Sequence, residues 1–251
     1  MNSEDTNNTT TLPSSSSSPS SPGVDSKPLT PPQKIDVIAL DLGGVIFSAG
    51  KEVASQSWER RGYDSKLIRQ LLTSPESMDL RKGLLTDDQF WNGFFKQRCP
   101  ANYDVDVIKK LWYEGYVMDH DILALLYSLR TNGYRIAAFS GNIESRIDYL
   151  EDKYNFRRHF DYEVYSYDCH YTKPDTRFIE VLIKTIYPNA TPDTYQQYGS
   201  RIVYIDDNVK DAEPSKLYNI PTFIYHRGQI DQLKSQLSEL DVIKTKVNYK
   251  L

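Results

Sequence analysis

Five short apolar runs punctuate the chain: Ile35–Leu40, Arg135–Phe139 (RIAAF), Tyr162–Tyr165 (YEVY), Ile202–Ile205 (IVYI) and Pro221–Tyr225 (PTFIY). Each has strand length and is rich in β-branched or aromatic residues. Between them, apolar positions recur at helical spacing, as at Ile122, Leu125, Leu126 and Leu129, or Phe178, Leu182 and Ile186. Strands alternating with helices predict βαβ units, and so an α/β, Rossmann-like parallel sheet with helices on both faces. One interval breaks the alternation. Residues 50–118 separate the first strand from the next βα unit and read as helix throughout. Leu67, Ile68, Leu71 and Leu72, then Phe90, Trp91, Phe94 and Phe95, then Val107, Ile108, Leu111 and Trp112 mark three helices there. Thr86-Asp87-Asp88-Gln89 has the form of a capping box. The pattern divides the chain into a tail (1–34), an α/β core (35–49 and 119–251) and a small helical lobe (50–118).

Composition sets the tail apart. Ser, Thr and Pro fill 20 of its 34 positions, four residues (Met1, Leu12, Val24, Leu29) are apolar and none is aromatic. Such a segment buries too little surface to offset its ordering entropy, which predicts disorder. It lacks the apolar stretch behind a basic start that marks a secretory signal. It has no Arg and carries Glu4 and Asp5, unlike a mitochondrial presequence; those acids also count against a plastid transit peptide, despite the serines. Ser18-Pro19, Ser21-Pro22 and Thr30-Pro31 have the form of proline-directed phosphorylation sites, and Pro28-Leu29-Thr30-Pro31 spells PxxP. A docked protein partner is one reading of these strings and a plain flexible tail is the other. No apolar run approaches the ~18 residues of a membrane span. A net charge of −4 argues against a nucleic-acid partner, whose binders carry a basic excess. Two cysteines, Cys99 and Cys169, fit a reducing compartment, and cytoplasm is the expected address.

Ligands of open α/β sheets bind outside the carboxyl ends of the strands, so those ends hold the candidate chemistry. Asp41 follows the first strand, Ser140 the second, and Asp206-Asp207-Asn208 the fourth, with Asp211 shortly after. Lys173-Pro174 opens the helix before strand four. A carboxylate, a hydroxyl, a lysine and an acidic pair form an inventory for phosphoryl transfer. The acids hold Mg²⁺, the ion and the lysine offset phosphate charge, and one carboxylate is free to attack phosphorus. Carboxylates gathered in one crevice repel unless a divalent cation and a lysine offset them. Plainer readings stand beside these: a strand-end turn for Asp41, a solvated lysine for Lys173, a first-turn acid for Asp211. Cys169 and His170 have no acid or second thiol at ligand spacing and read as loop residues. Asp119-His120-Asp121 reads as a helix entry.

The four motifs in this order, each at a strand or helix end, resemble those of the haloacid dehalogenase (HAD) superfamily, over Ile35 to about Tyr225. The motifs are Asp41-Leu42-Gly43-Gly44-Val45, then Ser140 after Ala137-Ala138-Phe139, then Lys173, then Asp206-Asp207 with Asp211. The helical lobe resembles the family's C1 cap. Arg81-Lys82-Gly83-Leu84-Leu85-Thr86 with Phe90-Trp91 is similar to the cap of a subgroup that includes bacterial α-glucose-1-phosphate phosphatases. The resemblance implies that Asp41 is the nucleophile that becomes an aspartyl phosphate. It implies a Mg²⁺ site formed by Asp41, the Gly43 carbonyl and Asp207, supported by Asp206 and Asp211. Ser140 would hydrogen-bond a phosphoryl oxygen, with Gly141 and Asn142 beside it, and Lys173 would pair with phosphate and with Asp41.

Two positions depart from the family pattern. Family phosphatases usually carry a second Asp two residues after the nucleophile as acid/base, where this chain has Gly43. A positioned acid/base contributes on the order of 10²–10⁴-fold, so its absence corresponds to roughly 3–5 kcal/mol at the barrier. Anomeric or acyl phosphates, whose leaving groups need little protonation, would suffer least. The subgroup has Asn straight after the Ser, whereas here Gly141 intervenes before Asn142. The implied activity is Mg²⁺-dependent hydrolysis of a small phosphorylated metabolite, a sugar phosphate among the candidates. The alternatives are a catalytically weakened ligand- or protein-binding module, and a dehalogenase; the retained Asp206-Asp207 pair counts against the last.

Overall fold

In a computed structural model, the structure describes residues 34–243; the tail, with its phosphorylation and PxxP strings, lies outside the described residues. β1 (Val37–Leu40) is followed by α1 (Gly50–Arg60), α2 (Ser65–Leu71), α3 (Pro75–Arg81), a π-helical turn (Gln89–Phe95) running into α4 (Lys96–Arg98), and α5 (Val105–Glu114). The alternating part then runs α6 (His120–Thr131), β2 (Arg135–Ser140), α7 (Glu144–Tyr154), β3 (Tyr162–Tyr165), α8 (Ser166–Cys169), α9 (Thr176–Ile186), α10 (Tyr195–Gly199), β4 (Ile202–Asp206), α11 (Val209–Ala212), β5 (Thr222–Ile224) and α12 (Ile230–Glu239). All strand pairs are parallel, in the order β3-β2-β1-β4-β5. The five expected strands form within a residue or two of their apolar runs. The helix expected to open at Lys173-Pro174 is α9, which begins at Thr176, capped by Asp175, so Lys173-Pro174 sits in the loop ahead of it.

Parallel strands are buried on both faces, and side chains alternate between them. Ile38, Leu40, Ile136, Ala138, Val203 and Ile205 point to one core. Val37, Ala39, Ala137, Phe139, Ile202 and Tyr204 point to the other. α6, α7 and α12 cover the first face through Ile122, Leu126, Ile147, Leu150, Leu233 and Leu237. The strongly amphipathic α9 covers the second, through Phe178, Leu182, Ile183 and Ile186.

The stretch between β1 and β2 contains more helices than its three apolar clusters predict. α1 and α3 are the additions. α1 buries Gly50, Ala54 and Trp58, and α3 buries Ser77 and Leu80, so each has one large apolar contact residue and no helical repeat of them for a hydrophobic scan to find. Thr86 and Gln89 form the reciprocal capping box, with Thr86 N donating to Gln89 Oε1 at 2.9 Å and Gln89 N to Thr86 Oγ1 at 3.2 Å. Trp58, Phe90, Trp91, Phe95 and Trp112 belong to the same contiguous core as the sheet face beneath them. The chain leaves and re-enters the sheet through one paired ribbon. Ser48 N donates to Val117 O (2.8 Å), Asp119 N to Ile46 O (2.8 Å) and Ser48 Oγ to Gly115 O (2.6 Å). Close approach requires glycine here, since a Cβ on Gly115 would lie 2.4 Å from the Gly50 carbonyl oxygen. Asp119 caps α6, accepting from the amides of Asp121 and Ile122, as expected of a helix entry.

Candidate active site

The chain runs outward from β1 to β2 and β3, then returns to β4 on the other side of β1. That reversal opens a crevice at the carboxyl ends of β1 and β4. Asp41 stands there, held by its amide donating to Ile205 O at 2.9 Å. Lys173, from the β3–α9 connection, reaches under it. Its Nζ lies 3.0 Å from Asp41 Oδ1 and 2.8 Å from Asp206 Oδ2. Lys173 and Asp206 are both buried. Burial pushes the lysine down, but the charges of Asp206 and Asp41 outweigh it and leave its pKa above the ordinary value.

The adjacent acids divide their work. Asp206 faces inward: Oδ2 accepts from Lys173 and from the Tyr204 hydroxyl, and Oδ1 from Asn208 N at 2.8 Å. Lys173 and these hydrogen bonds hold its pKa down against burial. Asp207 faces outward, half-buried, with its carboxylate over the Asp41–Gly44 turn. Gly44 has φ +84°, and a Cβ there would fall 1.9 Å from Asp207 Oδ2, so only glycine admits both the turn and the carboxylate. The turn closes through Phe47 N→Leu42 O and Gly44 N→Phe47 O, both 2.7 Å, neither of which uses the Gly43 carbonyl.

One ligand atom each from Asp41, Asp206 and Asp207 lies within 4.8 Å of the others. Burial, then the charges of Asp41 and Asp206, push Asp207 up to about 7; burial likewise raises Asp41, with Lys173 opposing and Asp206 adding. Asp41 Oδ1 is buried without an aligned hydrogen bond. A donor set of hard oxygens whose mutual repulsion is incompletely offset fits a small divalent cation such as Mg²⁺. With the Asp206 oxygens already engaged, Asp41 and Asp207 are the carboxylates free to take it. Asp211 stands apart from this trio and lines an adjoining cavity with Lys173 and Asp41.

Asp41, Gly43, Ser140, Gly141, Asn142 and Asp207 line one cavity of about 280 Å³. Ser140 ends β2 and is buried. The inserted glycine has a local cause: a Cβ on Gly141 would lie 2.5 Å from Thr172 Oγ1. Asn142 is committed to the protein, its Oδ1 accepting from Ile143 N (2.9 Å) and Arg146 Nε (2.7 Å). Gly43 faces Tyr116, whose Cε1 would stand 3.3 Å from a Cβ at that position. The ring therefore occupies the space beside the position where family phosphatases carry their second Asp.

Among the lining residues that escape the reading of the sequence as site residues are Lys51, Arg81, Tyr116 and Arg146. Arg81 falls within the cap-like motif, but its position over Gly141, with Nη1 donating to the carbonyl at 2.8 Å, depends on tertiary packing. Cys169 and His170 stay outside the cavity. His170 Nδ1 lies 2.7 Å from Lys82 O.

Comparison with known proteins gives the family and the fold. The haloacid dehalogenase-like hydrolase profile matches residues 35–216. The chain belongs to that family. It is 48% identical over 222 residues to an uncharacterized protein of Dictyostelium discoideum, covering 81% of this chain and 96% of that one. Among solved structures it is similar to a HAD family enzyme of Bacteroides thetaiotaomicron, in complex with magnesium and inorganic phosphate. There the TM-score is 0.63 and the identity 19%, over 78% of this chain and 96% of that one. A predicted HAD-like family hydrolase of Porphyromonas gingivalis gives a TM-score of 0.64 at 18% identity, over 82% and 98% of the two chains. At such identities the solved structures speak for the fold. Among the described residues, no helix of this HAD-like chain is long and apolar enough to cross a membrane.

Proposed function

We propose that this HAD-like hydrolase is a Mg²⁺-dependent phosphatase acting on a small phosphorylated metabolite, with Asp41 as nucleophile. One observation carries the reading: Lys173 bridges Asp41 and Asp206 from below, leaving Asp41 and Asp207 open to a cavity that Ser140 also lines. Asp41 and Asp207 would hold the ion, which when bound offsets the charge of the phosphoryl group and of the two carboxylates. Ser140 donates its hydroxyl hydrogen to a phosphoryl oxygen. Lys173 keeps Asp41 ionised and aimed. An Asp41 oxygen attacks phosphorus, the bond to the ester oxygen breaks, and water then releases phosphate from the aspartyl intermediate. With no side chain at Gly43 to protonate the departing oxygen, leaving groups of low basicity turn over fastest. Both cysteines are unpaired, in keeping with a cytoplasmic setting, and residues 50–118 take the role of a cap over the cavity.

The test is phosphate release from a panel that includes sugar and acyl phosphates, with Mg²⁺ or EDTA, against an Asp41→Asn control. Release by the wild type with Mg²⁺ alone, at least ~10²-fold above the control, is expected. Release equal to that of Asp41→Asn refutes the assignment. Halide release from a haloacid without metal would replace it with dehalogenation, and tight binding without turnover with the binding module.

A further inference from the structure

The phosphatase reading leaves the charge of Arg146 unused. Arg146 lies in the first turn of α7 and is 1% exposed. Its guanidinium carbon stands 4.4 Å from the ring centres of both Trp112 and Tyr116. Among the described residues its hydrogen bond is to a neutral amide, Asn142 Oδ1, and its buried Nη1 has no partner. Arg81 repeats the arrangement: Nη1 donates to the Gly141 carbonyl, and the buried Nε has no partner. Lys51 is the third cation of the same wall. Burial, then the charge of Arg81, push it down to about 8. The remaining acid of that wall, Glu52, pairs with Arg69 at 2.8 Å.

These three cations come from α1, α3 and α7, and all line the cavity of Asp41 and Ser140. Lys173, the cation assigned to the reacting phosphoryl group, is already paired with Asp41 and Asp206. Aromatic faces hold a guanidinium in place, but a buried cation without a counter-ion stays costly until an anion reaches it. A planar guanidinium with a vacant N–H edge matches a carboxylate or a phosphate. We propose that Arg146, with Arg81 and Lys51, forms a second anion subsite, so that the substrate is a phosphate monoester whose leaving group carries its own acidic group. The inference rests on the phosphatase reading and deepens it. It disfavours a neutral sugar as the leaving group.

The experiment compares calorimetric Kd values on Asp41→Asn protein with saturating Mg²⁺. Glycerol 3-phosphate and 3-phosphoglycerate differ by a hydroxymethyl against a carboxylate; glycerol 1,3-bisphosphate supplies a second phosphate instead, and inorganic phosphate is the control. At least tenfold tighter binding of 3-phosphoglycerate or the bisphosphate than of glycerol 3-phosphate is expected, and the tighter of the two names the acidic group. Arg146→Gln shrinks that ratio. So does Lys51→Met, which leaves the Asn142 hydrogen bonds untouched. Equal binding of all three esters, with inorganic phosphate bound, overturns the second subsite and leaves the phosphatase reading standing. A preference undiminished in both variants overturns its assignment to these residues. Failure of every probe to bind, together with failure of inorganic phosphate to bind the wild-type protein with Mg²⁺, removes the phosphatase reading and this inference together.

Discussion

Asp207→Asn is expected to stabilise the metal-free protein, although it removes a residue of the site. Asp207 is displaced from an ordinary 3.8 to about 7 by burial and by the charges of Asp41 and Asp206. At ~1.4 kcal/mol per pH unit, that bounds the penalty for ionising it at roughly 4 kcal/mol. Asp207 is only half-buried, so solvent screening reduces the figure to roughly 1–2 kcal/mol. Between about pH 4 and 7 the folded protein holds a proton there that the unfolded chain has released, so metal-free stability falls as pH rises through the window. Asp41, also raised, acts with the same sign. Lys51, depressed to about 8, contributes above the window. His159, lowered by burial, acts in the opposite direction but is common to both proteins and cancels. Thermal melts in EDTA across this range should show Asp207→Asn close to the wild type at pH 4. By pH 7.5 it should exceed it by roughly 3–6 °C. Mg²⁺ should reverse the order, since ligand at ~100 times its Kd adds about 2.7 kcal/mol to a protein that binds it. A variant less stable than the wild type in EDTA at pH 7.5, or a difference unchanged with pH, refutes the electrostatic account.

Two further substitutions probe the turn after Asp41. Gly44→Ala places a methyl 1.9 Å from Asp207 Oδ2 at φ +84°; it should cost about 1–2 kcal/mol in backbone strain and weaken Mg²⁺ binding by calorimetry at least tenfold. Gly43→Asp, which restores the family's usual acid, meets Tyr116 at 3.3 Å from Cβ alone. It should lower stability by about 1–2 kcal/mol in urea titrations without raising turnover. Adding Tyr116→Ala to Gly43→Asp should then give a favourable coupling of about 1 kcal/mol.

The sheet was legible because parallel strands are buried on both faces and leave uninterrupted apolar runs. Asp41, Ser140 and Asp207 were legible because strand ends in such a sheet converge by topology alone. The distinction between Asp206 and Asp207 was not, since adjacent residues reveal no direction; only the Lys173, Tyr204 and Asn208 contacts separate the inward acid from the outward one. Arg146, in Glu144-Ser145-Arg146, looks like any solvated helix face until Trp112 and Tyr116 close over it. Lys51 and Arg81 lie 30 residues apart on different helices, and no periodicity links them. Among the inserted helices, those with several large apolar residues at the contacts were visible. α1 and α3 were not, because each offers a single large apolar residue, Trp58 or Leu80, beside glycine, alanine or serine, and one residue makes no periodic signal.

The ribbon at residues 46–48 and 117–119 has a consequence for how such chains diversify. The segments that leave β1 and enter α6 already meet there through hydrogen bonds, so the two ends of the excursion are fixed side by side. Length added in the connections between the intervening helices, away from the Trp58, Phe90 and Trp112 contacts with the core, puts little strain on the carboxylates below, because closing a longer loop adds only ~0.6 kcal/mol per doubling. Insertions of that kind are thus absorbed above a seam a few residues beyond Asp41, while the register of β1 stays where its neighbours set it.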